Sequence, residues 1–396
     1  MIILHPSPNR RCKSLLRHIR SQAVFALALA GLTGAGNARG AWAFDALRQN
    51  IVQDTKDIAK AETGLRTGNF IFAPIPFSSD TIGNGLVLGA GYLFNLPGSK
   101  PSGVGLGYFE THTGSYAYGL GGSIVFDNDR WTVGAFVGRG ELNYDLPITV
   151  NLDLPLAQSV EGVAIQVEYG FSQTLKAGVG LAYLDSNIAW NPSFSLPVFL
   201  RPDLEVELVR LSADIVRDTR NDTFYPTAGS FLSLKLGYGH IADSIFAGAI
   251  TFDDRAYAKA VAKASTFQSV GAQGVLAFNT VLCSAGSAAP FFDSCGVGFV
   301  DGLRGFSALD ALANTSVSAQ VEYRGRLSPR FGYVAFAGAG AGGDDLGSLS
   351  IDQGGVAMGV GLRYRLSKKF GLDYAIDYAR NDQGDDFIYL SLGQRF

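Results

Sequence analysis

Val356-Ala357-Met358-Gly359-Val360-Gly361-Leu362-Arg363-Tyr364-Arg365-Leu366 is the stretch that decides the fold. Val356, Met358, Val360, Leu362, Tyr364 and Leu366 fall on one side of an extended chain, and Gly359, Gly361, Arg363 and Arg365 on the other. Side chains of a strand alternate between faces, so a period of two predicts a strand with one apolar side. The segment after it repeats the pattern, Phe370, Leu372, Tyr374, Ile376 and Tyr378 opposing Gly371, Asp373, Asp377 and Ala379. Working back along the chain, Val317, Ala319, Val321 and Tyr323 oppose Ser318, Gln320, Glu322 and Arg324. Further back, Leu232, Leu234, Leu236 and Tyr238 oppose Ser233, Lys235 and Gly237.

A soluble sandwich alternates too, so strand length and connection pattern must decide where the apolar face points. Most of the runs extend ten residues or more, against ~5–6 for soluble strands and ~9–11 for a tilted membrane strand. Sixteen are expected: 68–76, 82–94, 103–113, 115–127, 130–141, 158–171, 173–187, 203–218, 229–240, 245–263, 265–282, 315–327, 330–341, 354–366, 369–380 and 386–396. Links after even strands are tight, at Asn128-Asp129, Ser172, Ala264, Ser328-Pro329 and Ser367-Lys368. Links after odd strands include long ones, 142–157, 187–202 and 283–314. Short periplasmic turns with long outer loops are the habit of outer-membrane barrels, and open sheet edges are not viable in lipid. The fold class is therefore all-β, a transmembrane antiparallel β-barrel of sixteen strands over 68–396. Glu205, Glu207, Lys235, Arg324, Arg363 and Arg365 are expected to face the lumen.

The remaining numbers agree with this class. Fifty glycines beside 27 Phe and 16 Tyr suit strands that bend and present aromatic girdles. A net charge of -3 provides no basic face for phosphate backbones, so nucleic acid is not an expected partner. The basic residues Arg10, Arg11, Lys13, Arg17 and Arg20, followed by an apolar run over 23–32 and then small residues, read as a signal peptide. Cleavage is expected after Ala43, giving a 1–43 leader, with Gly36-Asn37-Ala38 as a second candidate. Residues 44–67 form a short periplasmic segment on which Leu47, Ile51, Ile58 and Leu65 could line one helical face. Cys12 leaves with the leader, and Cys283 and Cys295, twelve residues apart with no histidine near, read as a disulfide rather than a metal site.

Several segments resemble the bacterial surface antigen family, the outer-membrane β-barrels that include BamA, TamA and the two-partner-secretion transporters. The stretch from Arg217 and Asp218 through Thr219-Arg220-Asn221-Asp222-Thr223-Phe224-Tyr225-Pro226 to Gly229 is similar to that family's connection between its eighth and ninth strands. Gly302-Leu303-Arg304-Gly305-Phe306 resembles the motif of its sixth outer loop, which folds back into the lumen, and Glu322 stands where members carry an inward carboxylate for that arginine. Leu303, Arg304, Gly305 and Phe306 are thus the expected lumenal motif, and Arg304 with Glu322 the expected anchor pair. Guanidinium and carboxylate suit that task because their contact is directional and bidentate. Members often add an aspartate on the thirteenth strand, where Gly338 stands here, so Arg304 is expected to have one acidic partner. The ending Ile388, Leu390, Leu392 and Phe396 resembles the C-terminal signal read by barrel-assembly machinery. Only about two dozen residues precede the barrel, so the family's tandem periplasmic modules (POTRA domains) are not expected.

No catalytic constellation stands out, and neither a cofactor nor a metal is expected. His240 with Asp243 and Ser244 reads as a strand-end turn, and the glycine-rich 338–343 lacks the following helix that a phosphate loop needs. Asp344 and Asp345 read as solvated loop charge. The resemblance implies a barrel that assists insertion or translocation of proteins or lipids at the outer membrane, opening at a seam between first and last strands. Its expected partners are outer-membrane lipid, the assembly machinery during biogenesis, and periplasmic partner or client proteins. A passive channel and an anchor barrel for a separately encoded partner are the alternatives.

Overall fold

Long strands carry nearly the whole chain: β1 Gly64–Phe77, β2 Gly85–Asn95, β3 Pro101–Thr111, β4 Tyr116–Phe126, β5 Trp131–Thr149, β6 Leu152–Gly170, β7 Leu175–Trp190, β8 Asp203–Asp218 and β9 Gly229–Ile241. After the short β10 Ser244–Phe246 and β11 Ile250–Phe252 come β12 Arg255–Val270 and β13 Gly274–Ala285. The short β14 Cys295–Gly296 and β15 Leu312–Ala313 precede β16 Thr315–Arg326, β17 Phe331–Gly343, β18 Ser350–Ser367, β19 Leu372–Asn381 and β20 Asp386–Leu392. This computed structural model describes residues 64–77, 85–149, 152–191, 203–222, 225–242, 244–246, 250–252, 254–271, 273–289, 293–298, 302–306, 312–367, 372–392 and 394–396. The expected signal peptide and most of the expected 44–67 segment lie outside the described residues.

Leaving the four short strands aside, sixteen long ones remain, and each pairs antiparallel with the next in chain order. The sheet curls into a β-barrel. Its alternation has the sense expected for lipid: Met358 and Leu362 of β18 are 66% and 64% exposed, whereas Arg363, next to Leu362, and Asp377 on β19 are buried. At the short-turn end the outer face carries Trp131 against Tyr169, centroids 4.8 Å apart, and Phe331 against Tyr364 at 5.3 Å. Tyr108, Tyr118, Tyr183 and Tyr238 stand toward the other end. Two aromatic belts around an apolar band are what the two membrane interfaces select.

Four expectations need correction. The turn at Ala264 is absent: Ala264 pairs with both Leu232 and Thr280 in mid-strand, and the break falls after Val270, where Gly271 has φ +63°. Small residues on both faces of 255–270 conceal the strand's continuity. The supposed loop 142–157 is largely a continuation of the β5–β6 hairpin, with Asp145 opposite Pro155 and Pro147 opposite Asp153. Proline reads as a breaker, but the edge of a ladder tolerates it. The last strand stops at Leu392 instead of Phe396. Finally, Glu205 and Glu207 are exposed on the outer face, while Val206 and Leu208 point inward.

The last correction has a physical cause. One cross-strand row on the outer face reads Tyr108, Tyr118, Arg139, Glu161, Asp185 and Glu207, each opposite the next. The apolar outer band ends at this row. Beyond it the polarity of the wall inverts: Val160, Leu184, Val206, Leu208, Ile241 and Tyr257 cluster on the inner face, with Ala288 and Ala289 packed on them. Outside the bilayer, water takes the outer face and the dry side lies within.

The β8–β9 connection shows how its sequence makes a turn. Asn221 Oδ1 accepts from the backbone N–H groups of Thr227 at 3.0 Å and Ala228 at 3.1 Å, and Asp222 Oδ1 accepts from Tyr225 N at 3.0 Å. Gly229 closes it at φ +97°, where a Cβ would meet the Thr219 carbonyl.

Candidate functional site

The connection from β13 to β16 enters the barrel, and three separate attachments hold it. The first is the disulfide between Cys283 on β13 and Cys295, with Cα atoms 5.6 Å apart and both side chains buried. Replacing both cysteines by serine is expected to lower stability by at most about 3 kcal/mol, as for any closed loop this short. Denaturant midpoints in detergent, with reductant on the native chain as the matching control, check this.

The second attachment is Asp293, fully buried two residues before Cys295. Its carboxylate pairs with Arg210 of β8, accepts from Tyr257 Oη of β12 at 2.5 Å, and accepts from Lys259 Nζ of β12 at 3.0 Å. Lys259 also donates to the Asp293 carbonyl at 2.9 Å. Arg210 and Lys259 are themselves only 7% exposed, so one carboxylate neutralises part of a buried charge pair that neither strand could carry alone.

The third is Arg304, wholly buried. Its Nη2 pairs with Glu322 of β16, and its Nη1 donates to Asp377 Oδ2 of β19 at 2.7 Å. Gln320 Oε1 accepts from both the backbone N and Nε of Arg304 at 3.3 Å, and the guanidinium lies over the Phe336 ring, 3.4 Å from its centroid. The acids are shared: Glu322 Oε1 accepts from Arg324 Nε at 2.6 Å, and Asp377 also pairs with Arg363. Neighbouring residues complete the seat. Leu303 and Phe306 pack with Val297 and Ala357, Gly305 N donates to Tyr389 Oη of β20 at 2.9 Å, and Asn381 Nδ2 donates to the Gly305 carbonyl at 3.0 Å. Gly305 has φ +97°, and a Cβ there would come 2.6 Å from the Ala357 Cβ.

Arg304 therefore has two acidic partners, not one. The second carboxylate comes from Asp377, and the glycine at 338 has another use: a Cβ there would come 2.5 Å from Leu303 Cδ1. Bare backbone on β17 admits the loop, and the acid is supplied two strands further on. Of the C-terminal set, Ile388 is exposed on the outer face, and Leu390 and Leu392 lie in β20 with side chains outside the described residues. Phe396 has left the wall: its ring is buried among Phe267, Val275 and Ala277, and its carbonyl accepts from Arg324 Nη2 at 2.6 Å.

The sequence singles out none of Asp293, Arg210, Tyr257, Lys259 and Tyr389, and places Asp377 on the polar face of its strand without a role at the loop. Lys259 and Asp377 alternate with apolar neighbours and were legible as inward; nothing in the sequence pairs them with a loop. Of the dismissed constellation, His240 Nε2 lies 3.6 Å from Asp254 Oδ2 at an exposed strand end, and Asp243 is outside the described residues. Asp345 accepts from Gly347 and Ser348 N–H in a turn.

The Omp85 superfamily domain matches residues 86–396. Among solved structures, BamA from Haemophilus ducreyi lacking POTRA domains 1–3 is similar at TM-score 0.55 and 14% identity, over 82% of this chain and 69% of that one. CdiB from Acinetobacter baumannii gives TM-score 0.52 and 10% identity, over 82% and 65%. CdiB from Escherichia coli gives 0.51 and 10%, over 86% and 68%. No curated protein matches the sequence.

Proposed function

Because the chain belongs to the Omp85 superfamily and so resides in the bacterial outer membrane, we propose that its barrel assists insertion or translocation of proteins or lipids there, working at the seam between β1 and β20. It acts without chemistry of its own, as a scaffold that lends a strand edge. The observation that carries this reading is the pairing pattern: ladders run from β1 to β20 in chain order, and among the described residues none joins β20 back to β1. Where β1 and β20 part, the N–H and C=O groups set free cost several kcal/mol in hydrocarbon, roughly, and so favour a guest strand or lipid-thinning water at that edge.

Cysteines introduced along β1 and β20 and oxidised to close the seam are expected to abolish assembly of client proteins in cells, with reductant restoring it. Undiminished client assembly with a closed seam would sink the proposal. Pull-down from detergent extracts identifies a client or a separately encoded periplasmic partner.

The passive-channel reading is weaker, because the loop with Arg304 occupies the inner side of the wall. Planar-bilayer recordings are expected to be nearly silent with sporadic openings. Steady ion-selective conductance would instead make the channel the better description.

A further inference from the structure

The short-turn mouth of the lumen holds more positive charge than it neutralises. Arg304, Arg324, Arg326, Arg363 and Arg365 face three carboxylates, Glu322, Asp373 and Asp377. That leaves an excess of two, and Arg395 adds a sixth guanidinium beside the Tyr389 ring at 4.8 Å. Asp222, whose Oδ1 accepts from Tyr225 N, and a carboxylate at Phe396 would still leave one positive charge unmatched. Cations in a low-dielectric interior are costly without matching anions.

The hydrogen-bond inventory points to the same place. Among the described residues, nine buried side-chain atoms lack a partner, and four of them lie here: Tyr225 Oη, Arg324 Nη1, Arg326 Nη1 and Arg395 Nε. All four can donate, and the three from arginine can do nothing else. Arg324 is 1% exposed, so its orphaned N–H bears a full desolvation cost. Three are held side by side. The Arg326 guanidinium lies 4.5 Å from the Tyr225 ring centroid, with Arg365 at 5.6 Å, and Tyr225 packs against the Phe267, Val275 and Phe396 cluster over which Arg324 lies. The remaining donors are already fixed, Arg326 and Arg365 by Asp373 and Gln394 by the same carboxylate at 2.9 Å. The pointing of the free N–H groups is therefore preset.

We propose that this mouth, between Tyr225, Arg324 and Arg326, binds a phosphate group. Only an acceptor carrying negative charge satisfies both shortfalls; a water molecule takes the hydrogen bonds and leaves the charge excess. Tetrahedral phosphate presents several acceptor oxygens in different directions, and arginine is its habitual partner. The group could arrive as free phosphate or on a lipid headgroup, since Arg326 and Arg365 keep 15% and 16% of their side chains exposed. This site stands independently of the seam.

The test uses the purified protein in detergent. Inorganic phosphate, against chloride at equal ionic strength, is expected to raise the thermal unfolding midpoint in a saturable way. Arg326→Gln should weaken the apparent affinity by about tenfold, the loss of one charge-assisted hydrogen bond. Tyr225→Phe keeps every charge and should weaken it severalfold, which covers the case in which Arg326→Gln fails to fold. Mixed micelles with an anionic phospholipid separate the sources: competition with phosphate assigns the headgroup, and its absence assigns the free ion. No phosphate-specific shift, or one that both variants retain in full, overturns the proposal.

Discussion

Replacing Arg304 by alanine is expected to cost about 3–5 kcal/mol, because two buried carboxylates each lose one of their two arginine partners. Glu322 keeps Arg324 and Asp377 keeps Arg363, so the barrel should still form. What should fail is the seat of the loop: Gln320 loses its donors, and the Phe336 ring loses the cation lying on it. Limited proteolysis checks this with a built-in contrast. Cleavage near 302–306 should rise sharply, while 293–297 stays protected by the disulfide and by Asp293. If both stretches became equally accessible, the idea of independent attachments would be wrong. Unchanged cleavage near 302–306 would remove Arg304 from any holding role. Arg304→Lys should recover little, since an ammonium cannot span two carboxylates and Gln320 as a planar fork does.

Asp293→Ala is expected to be of similar size, about 3–5 kcal/mol, with the opposite sign of stranded charge. Here Arg210 and Lys259 are left facing each other without their shared acid, and Tyr257 loses its acceptor. Raised salt should ease the defect, because it screens two like charges that gain access to solvent once the loop lifts. The disulfide still tethers Cys295 to β13, so the variant should show loosened packing around Ala288 and Ala289 instead of a released loop. Hydrogen exchange over 286–298 measures this, and reductant should convert loosening into release. A variant whose exchange there matched the native protein would show that Asp293 holds nothing. Because the Asp293 and Arg304 clusters share no residue, the two losses should add in the double variant.

Much of the fold was readable because lipid imposes a simple rule. In β16, β18 and β19, greasy residues at every second position had to face outward, and the inward set Gln320, Glu322, Arg324, Arg363 and Asp373 followed without further information. The rule failed where its cause stopped. At 205–208 the apolar residues lie on the inner face, since beyond the bilayer the lumen side is the dry one; the alternation persists, but its meaning reverses. The lumenal loop was legible only in part. Arg304 and Glu322 could be matched through a motif, and Cys283 with Cys295 through their number and spacing. Asp377 and Asp293 could not, because each bridges a strand and the loop over a long stretch of sequence, and period two says which way a side chain points without saying what it meets there. Phe396 was missed for a related reason: its apolar character fits a lipid-facing strand end and a lumenal pocket equally well.

The inversion along β8 also fixes alignment. Each strand from β5 to β8 is written in two opposite scripts, oil outward in its lower part and oil inward above. Were β8 to slide by one residue, Glu205 and Glu207 would be thrust among Leu184 and Ile241 while Val209 and Leu211 withdrew from the bilayer, so both halves would be penalised together. A strand with one script can trade a misalignment against a neighbour's; a strand with two has no nearby alternative.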